Sequence, residues 1–114
     1  MEIGVDIVEI DRIRRSLRNP RFLKRVFTPQ EVKYCRLRKN YAQHFAVRFA
    51  AKEAVWKAVG NPNLLHRDIQ VRNEDTGKPV IVFPKPFAHL SKHVRISLSH
   101  GQDHAVAMAI YEER

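Results

Sequence analysis

The chain has 114 residues, enough for one compact domain and too few for two cores of ordinary size. It carries 21 Lys and Arg against 12 Asp and Glu, a formal charge of +9, which points to an anionic partner: a phosphate-rich ligand, nucleic acid or an acidic protein. The lone Cys35 excludes an intrachain disulfide framework, "MEIGVDIVEI" has acids where a signal peptide needs a basic then apolar run, and no run approaches the ~20 apolar residues of a membrane span. A soluble protein of the reducing cytoplasm is therefore expected, and a chain this small gains from oligomerisation as a further way to bury apolar area.

In chain order, Ile3, Val5 and Ile7 alternate with Gly4, Asp6 and Val8, the period of a half-buried strand, which sets Asp6 on the face opposite the isoleucines. Ile10, Ile13 and Leu17 follow at helical spacing. Arg14, Arg18, Arg21 and Arg25 would share another face of a helix that continued past Asn19-Pro20, but Pro20 predicts a break or restart there. Thr28-Pro29-Gln30-Glu31 combines a threonine N-cap, proline at the first helical position and a glutamate able to complete a capping box, and predicts a short helix to about Arg38. Asn40 can cap the next helix, and Gly60-Asn61-Pro62 ends it.

Beyond that helix the period changes to two. "IQVRN", the turn "EDTG" and "KPVIVF" read as one hairpin. In a second, Val94, Ile96 and Leu98 alternate with Arg95, Ser97 and Ser99, "HGQD" turns the chain, and "HAVAMAIY" is apolar enough for a strand buried on both faces. Early helices, late antiparallel strands and one strand at the start predict an α+β domain over residues 1–114, with no repeat or linker.

The central helix contains "FAVRFAAKEAVWKA", residues 45–58. Steps of 100° gather Phe45, Phe49 and Trp56 into an aromatic stripe, with Arg48 and Lys52 on one side, Glu53 and Lys57 on the other, and Ala46, Ala50, Ala51, Ala54 and Ala58 on the far side. Alanines there let another backbone approach closely. With no wide polar face, the helix should be central and its charges should sit at the margins of buried surface. The plainest reading of Glu53 and Lys57 is an i,i+4 ion pair, worth ~0.2–0.5 kcal/mol. The alternative is chemical: Asp6 and Glu53, if close in space, offer two hard carboxylates with positions left for water and phosphate, as Mg²⁺ prefers. Arg48, Lys52 and Lys57 would then surround a pyrophosphate-like ligand held by side chains and metal, since neither a P-loop nor a G-x-G-x-x-G motif is present.

"GVDIVEIDRI", "FAVRFAAKEAVWKA", "GKP" at 77–79 and "ISLSHGQDHAVAMAI", in this order over nearly the whole chain, resemble the holo-[acyl-carrier-protein] synthases, which are 4'-phosphopantetheinyl transferases. The resemblance implies that family's fold, an antiparallel sheet packed around a long central helix, and transfer of the phosphopantetheine arm of coenzyme A to a serine of acyl carrier protein in fatty acid biosynthesis. It implies Mg²⁺ bound by Asp6 and Glu53, Lys57 at the pyrophosphate, and Arg48 and His100 in the coenzyme pocket, with Ser99 near the coenzyme phosphates. It also implies a homotrimer with active sites between subunits, and docking of the acidic carrier protein by Arg14, Arg18, Arg21 and Arg25. The serine proton would pass to metal-bound water, to Glu53 or to Lys57. The short connection "NPNLLHRD" after the central helix is a departure that bears on the adenine side.

Two other classes of function compete. A basic nucleic-acid-binding module would use the net charge and the arginines, but Phe45, Phe49 and Trp56 belong to a core helix and no nucleic-acid-binding motif is present. A non-catalytic carrier-binding module would leave Asp6, Glu53 and Lys57 without a task. His100 and His104 flank a turn, which disfavours a zinc pair, and Cys35 reads as a small buried residue.

Overall fold

The computed structural model describes residues 1–113. Strand β1 (Glu2–Glu9) leads directly into helix α1 (Ile10–Ser16), followed by α2 (Pro20–Val26), α3 (Pro29–Arg36) and the 19-residue α4 (Tyr41–Val59). A 3₁₀ turn at His66–Asp68 precedes β2 (Gln70–Asn73) and β3 (Pro79–Val82), and a second at Ala88–His93 precedes β4 (Val94–His100) and β5 (His104–Tyr111). All strand pairs are antiparallel, in a three-stranded sheet of order β1-β5-β4 and a separate β2-β3 hairpin. Helix α4 packs on β1, β5, β4 and β2, so the architecture is α+β with antiparallel sheets about a long helix. No helix among the described residues is long and apolar enough to cross a membrane.

Local sequence explains where the helices start and stop. Asn19 accepts a hydrogen bond from the Arg21 amide at 2.9 Å, and Pro20 opens α2, so α1 and α2 are separate and the four arginines do not share one helix face. At α3 both halves of the capping box form: Glu31 N donates to Thr28 Oγ1 at 3.2 Å and Thr28 N to Glu31 Oε1 at 2.9 Å. That helix stops at Arg36 rather than Arg38. Asn40 precedes α4 without a side-chain cap bond, whereas Gly60 closes the helix in the left-handed region at φ 70°.

Small residues let β1 approach α4. A Cβ on Gly4 would lie 1.9 Å from the Ala54 carbonyl oxygen and 3.0 Å from the Ala58 amide nitrogen. Across the sheet, Ala105, Ala107 and Ala109 of β5 are buried together with Ala46, Ala50, Ala51 and Ala54 of α4. The other face of the sheet is uncovered: Ile3, Val5 and Ile7 are between 57% and 63% exposed and Met108, opposite Val5, is 42% exposed. Strand β5 is thus buried on one side only within a single chain. The apolar residues that suggested burial on both sides face outward here.

The charges of α4 also depart from expectation, because two lie inside the fold rather than at its margin. Lys52 is fully buried, 2.8 Å from Glu31 Oε1, and its Nζ donates to the carbonyls of His66 (3.1 Å) and Ile69 (2.7 Å). The other Glu31 oxygen accepts from the Val71 amide at 2.8 Å. One buried pair therefore ties α3, α4, β2 and the His66–Asp68 turn together, with hydrogen bonds meeting the desolvation cost of both charges. Burial pulls the Lys52 ammonium below the usual lysine range, and Glu31 opposes that pull. Replacing Lys52 by methionine leaves Glu31 buried without its counter-charge. Urea unfolding of Lys52→Met should show a loss of about 3–5 kcal/mol, and a loss below about 1 kcal/mol would contradict a structural role for the pair.

Candidate active site

Two groups of functional side chains flank α4. The first forms where β1 crosses the helix. Lys57, on the last turn of α4, donates to the Val5 carbonyl at 3.1 Å and reaches Asp6 Oδ1 at 3.4 Å. Asp6 is mostly buried while Lys57 is half exposed, so the lysine stands at the mouth of the site with the carboxylate beneath it. Glu53 lies one turn before Lys57 and is close enough for its charge to act on Asp6. The i,i+4 pair between Glu53 and Lys57 does not form. Glu53 Oε1 instead lies 3.1 Å from His66 Nε2.

Burial raises the Asp6 carboxyl above its ordinary 3.8; the Lys57 charge and hydrogen bond oppose the rise, Glu53 adds to it, and the Arg12 charge opposes it. Arg12 was not among the arginines singled out by the sequence. It reaches Asp6 electrostatically because α1 starts directly after β1. Two half-buried carboxylates that repel one another, one with its charge disfavoured, are a donor set that a divalent cation fits. Among the described residues no group of three or more His, Cys, Asp and Glu could hold a metal, so any cation here would rest on these two carboxylates and the oxygens of its ligand.

The second group lies towards β2, β3 and β4. Arg48 is 4% exposed, its Nη2 donates to Asn73 Oδ1 at 2.7 Å, and its guanidinium carbon sits 4.2 Å from the centre of the Tyr34 ring. Its Nε is buried without a hydrogen-bond partner. Asn73 also donates to the Gly77 carbonyl at 3.0 Å, which couples Arg48 to the hairpin turn. Arg48 and His100 line one cavity of about 340 Å³ with His44, Asn73 and Gly77, and His100 Nε2 contacts Gln43 Nε2 at 2.8 Å. Burial lowers the His44 pKa, and the nearby charges of Arg48, Arg38 and His100 lower it further, so the cavity is electropositive. Ser99 lies next to His100 on β4, opposite Val106, and is exposed. Tyr34 and Asn73 carried no sequence signal, since their parts depend on contacts across the fold.

Asp6, Glu53 and Lys57 come together; Arg48 and His100 come together; the two groups do not join within the chain. Strands β1 and β4, which bear Asp6 and His100, are the opposite edges of the three-stranded sheet. Of the four other arginines, Arg14 is ion-paired with Asp11 and shares a cavity of about 440 Å³ with Arg18, while Arg21 and Arg25 are exposed on α2.

The raised Asp6 pKa has a thermodynamic sign. The folded chain binds more proton at Asp6 than the unfolded chain in the window above pH 3.8, so stability falls as pH rises through that window and the deficit persists at neutral pH. Asp6→Asn should therefore raise Tm at pH 7. Scanning calorimetry should show the gain shrinking as pH falls towards 3.8 and absent well below it, where Asp6 is protonated in both the folded and the unfolded chain, and an unchanged or lower Tm at pH 7 would contradict the assignment.

A sequence model of the 4'-phosphopantetheinyl transferase superfamily matches residues 2–109. A holo-[acyl-carrier-protein] synthase of Chlorobaculum tepidum is 44% identical over 119 residues, covering 100% of both chains, and one of Chloroherpeton thalassium is 41% identical over 118 residues, covering 98% of each. The solved structure of a holo-(acyl-carrier-protein) synthase from Bacillus anthracis, in complex with CoA (3',5'-ADP), superposes with a TM-score of 0.84 at 36% identity over 99% of this chain and 96% of that one. The agreement in sequence and in fold extends over the strand that bears Asp6, the helix that bears Glu53 and Lys57, and the edge strand that ends in His100, and on it the chain belongs to the holo-[acyl-carrier-protein] synthase family of 4'-phosphopantetheinyl transferases.

Proposed function

We propose that the protein transfers the 4'-phosphopantetheine arm of coenzyme A to a serine hydroxyl of apo-acyl carrier protein, releasing adenosine 3',5'-bisphosphate and supplying holo-carrier for fatty acid biosynthesis in the cytoplasm. The observation that carries this reading is the convergence of Asp6, Glu53 and Lys57 at one crossing of strand and helix, on a chain of this family. The serine oxygen forms a bond to the phosphorus nearest the pantetheine arm, and the bond between that phosphorus and the bridging oxygen of the pyrophosphate breaks. Both events concentrate negative charge at the phosphates, so catalysis rests on positioning and charge stabilisation.

Asp6 and Glu53 would hold Mg²⁺ through hard oxygens, and the cation, when bound, supplies Lewis-acid neutralisation of the pyrophosphate. Lys57 is tethered through Val5 and Asp6 and extends into solvent, which suits an ammonium that pairs with phosphate oxygens on arrival. The serine proton can pass to the Glu53 carboxylate, or to Lys57 only in its neutral amine form. The electropositive cavity of Arg48, His44 and His100, with Ser99 beside it, suits the adenosine-phosphate end of the coenzyme.

The two groups of residues lie apart in one chain, and the sheet exposes Ile3, Val5, Ile7 and Met108. Both facts support a homotrimer in which these apolar faces meet and each transfer site takes one group from each of two neighbouring subunits. The cationic, exposed Arg14, Arg18, Arg21 and Arg25 suit docking of an acidic carrier protein, whereas Phe45 is buried and provides no platform for stacking nucleic-acid bases.

The test is direct. Incubated with coenzyme A, Mg²⁺ and apo-acyl carrier protein, the protein should add one phosphopantetheine to the carrier, read by mass spectrometry. Glu53→Gln should cut the rate by more than about 100-fold, the worth of a few kcal/mol of transition-state stabilisation, with the fold retained by circular dichroism. No mass gain with the unmodified protein would contradict the activity, and full activity in Glu53→Gln would contradict the metal assignment.

A further inference from the structure

His66 has no part in the function just described, yet its side chain is closely held. The ring lies nearly parallel to both Phe49 (centroids 6.3 Å apart, planes 13° apart) and Trp56 (6.2 Å, 20°), spanning the aromatic stripe of α4. Glu53 projects from the helix between these two aromatics in sequence, and its Oε1 lies 3.1 Å from His66 Nε2. That nitrogen is shielded from solvent and lacks a hydrogen bond, because the contact with Glu53 is close but misaligned. Leaving a buried polar atom unpaired is destabilising, because it has given up water without gaining a partner. Packing therefore holds an imidazole nitrogen against the carboxylate at a cost that a small rotation of the carboxylate would relieve.

The backbone of His66 is pinned as firmly as its ring. Its carbonyl accepts from Lys52 Nζ at 3.1 Å and from the Ile69 amide at 3.1 Å, and the turn is closed by the Leu65 amide donating to Asp68 Oδ2 at 3.0 Å. The buried Lys52–Glu31 pair thus fixes the turn, and the turn together with the two aromatics fixes the ring. A glutamate on a helix surface otherwise samples several rotamers, and ordering it on binding consumes free energy.

We infer that His66 is a positioning residue for Glu53: once the carboxylate rotates into line, the Nε2–H donates to Oε1 and turns the second carboxylate oxygen towards Asp6, preorganising the pair for a divalent cation. This rests on the reading of Glu53 as a metal ligand. The logic is that of an outer-shell partner, whose loss typically weakens metal binding 10- to 100-fold without touching the metal itself.

The test uses Mn²⁺ as a paramagnetic probe, titrated by electron paramagnetic resonance with coenzyme A present, on the unmodified protein and three variants. His66→Phe keeps an aromatic ring between Phe49 and Trp56 but removes the donor; it should weaken Mn²⁺ binding about tenfold at nearly unchanged Tm. Its kinetic loss should fall mainly on the KM for Mg²⁺ rather than on kcat. His66→Gln, which restores an N–H in place of the ring, should recover most of the affinity. Unaltered Mn²⁺ affinity in His66→Phe, with binding lost in Glu53→Gln, would overturn this inference alone. Equal binding by Glu53→Gln and the unmodified protein would overturn the metal assignment and this inference with it.

Discussion

The close approach of β1 to α4 is the constraint on which the rest of the molecule depends. Gly4 lies where any Cβ would collide with the Ala54 carbonyl, so the strand can reach the helix backbone only because both partners are small at the crossing. Two residues further on, that proximity places Asp6 against Lys57 and within electrostatic range of Glu53. A larger residue at position 4 would lift the strand from the helix and separate the two carboxylates. The alanines of β5 continue the same thin layer across the sheet. Functional geometry here is a consequence of what has been left out of the core.

The charges on α4 are then explained by depth. Lys52 is a structural cation, fully buried and paired with Glu31, and it fixes the His66–Asp68 turn as well as α3 and β2. Arg48 is nearly as buried but keeps an unpaired Nε beside an electropositive cavity. Lys57 alone extends into solvent, with its stem anchored by Val5 and Asp6. Along one helix, increasing exposure separates a group that holds the fold from one that is free to meet a ligand. Exposed arginines and a lysine of α1 and α2 carry part of the chain's cationic excess at the surface.

Much of this was legible from local pattern. The capping box at Thr28 and Glu31, the break at Pro20, the glycine that ends α4 and both hairpins depend on neighbouring residues, and each formed where expected. The pairing of Asp6 with the α4 charges was an inference from residue type, and it required the strand to pack on the correct face of the helix. Contacts made across the fold carried no local signal: Lys52 with Glu31, Arg48 with Asn73, and His66 with Glu53 lie 21, 25 and 13 residues apart. Strand β5 was misread because its outward Met108 and the neighbouring isoleucines of β1 are apolar yet exposed on this chain. Hydrophobic pattern records what is buried in the working assembly, and in a small protein that assembly can include other copies of the chain.

The central claim is that neither half of the proposed transfer site suffices alone and that neighbouring subunits complete it. Subunit mixing tests this most directly. Glu53→Gln and His100→Ala, each inactive by itself, would be combined at equal concentration, dissociated and reassembled, and assayed for holo-carrier formation. If each site draws Glu53 from one subunit and His100 from its neighbour, random mixing restores both groups at about a quarter of the sites, and activity should return to about that fraction of the unmodified protein. No recovery in a mixture shown to contain hybrid assemblies would contradict a shared site and confine the chemistry to one chain.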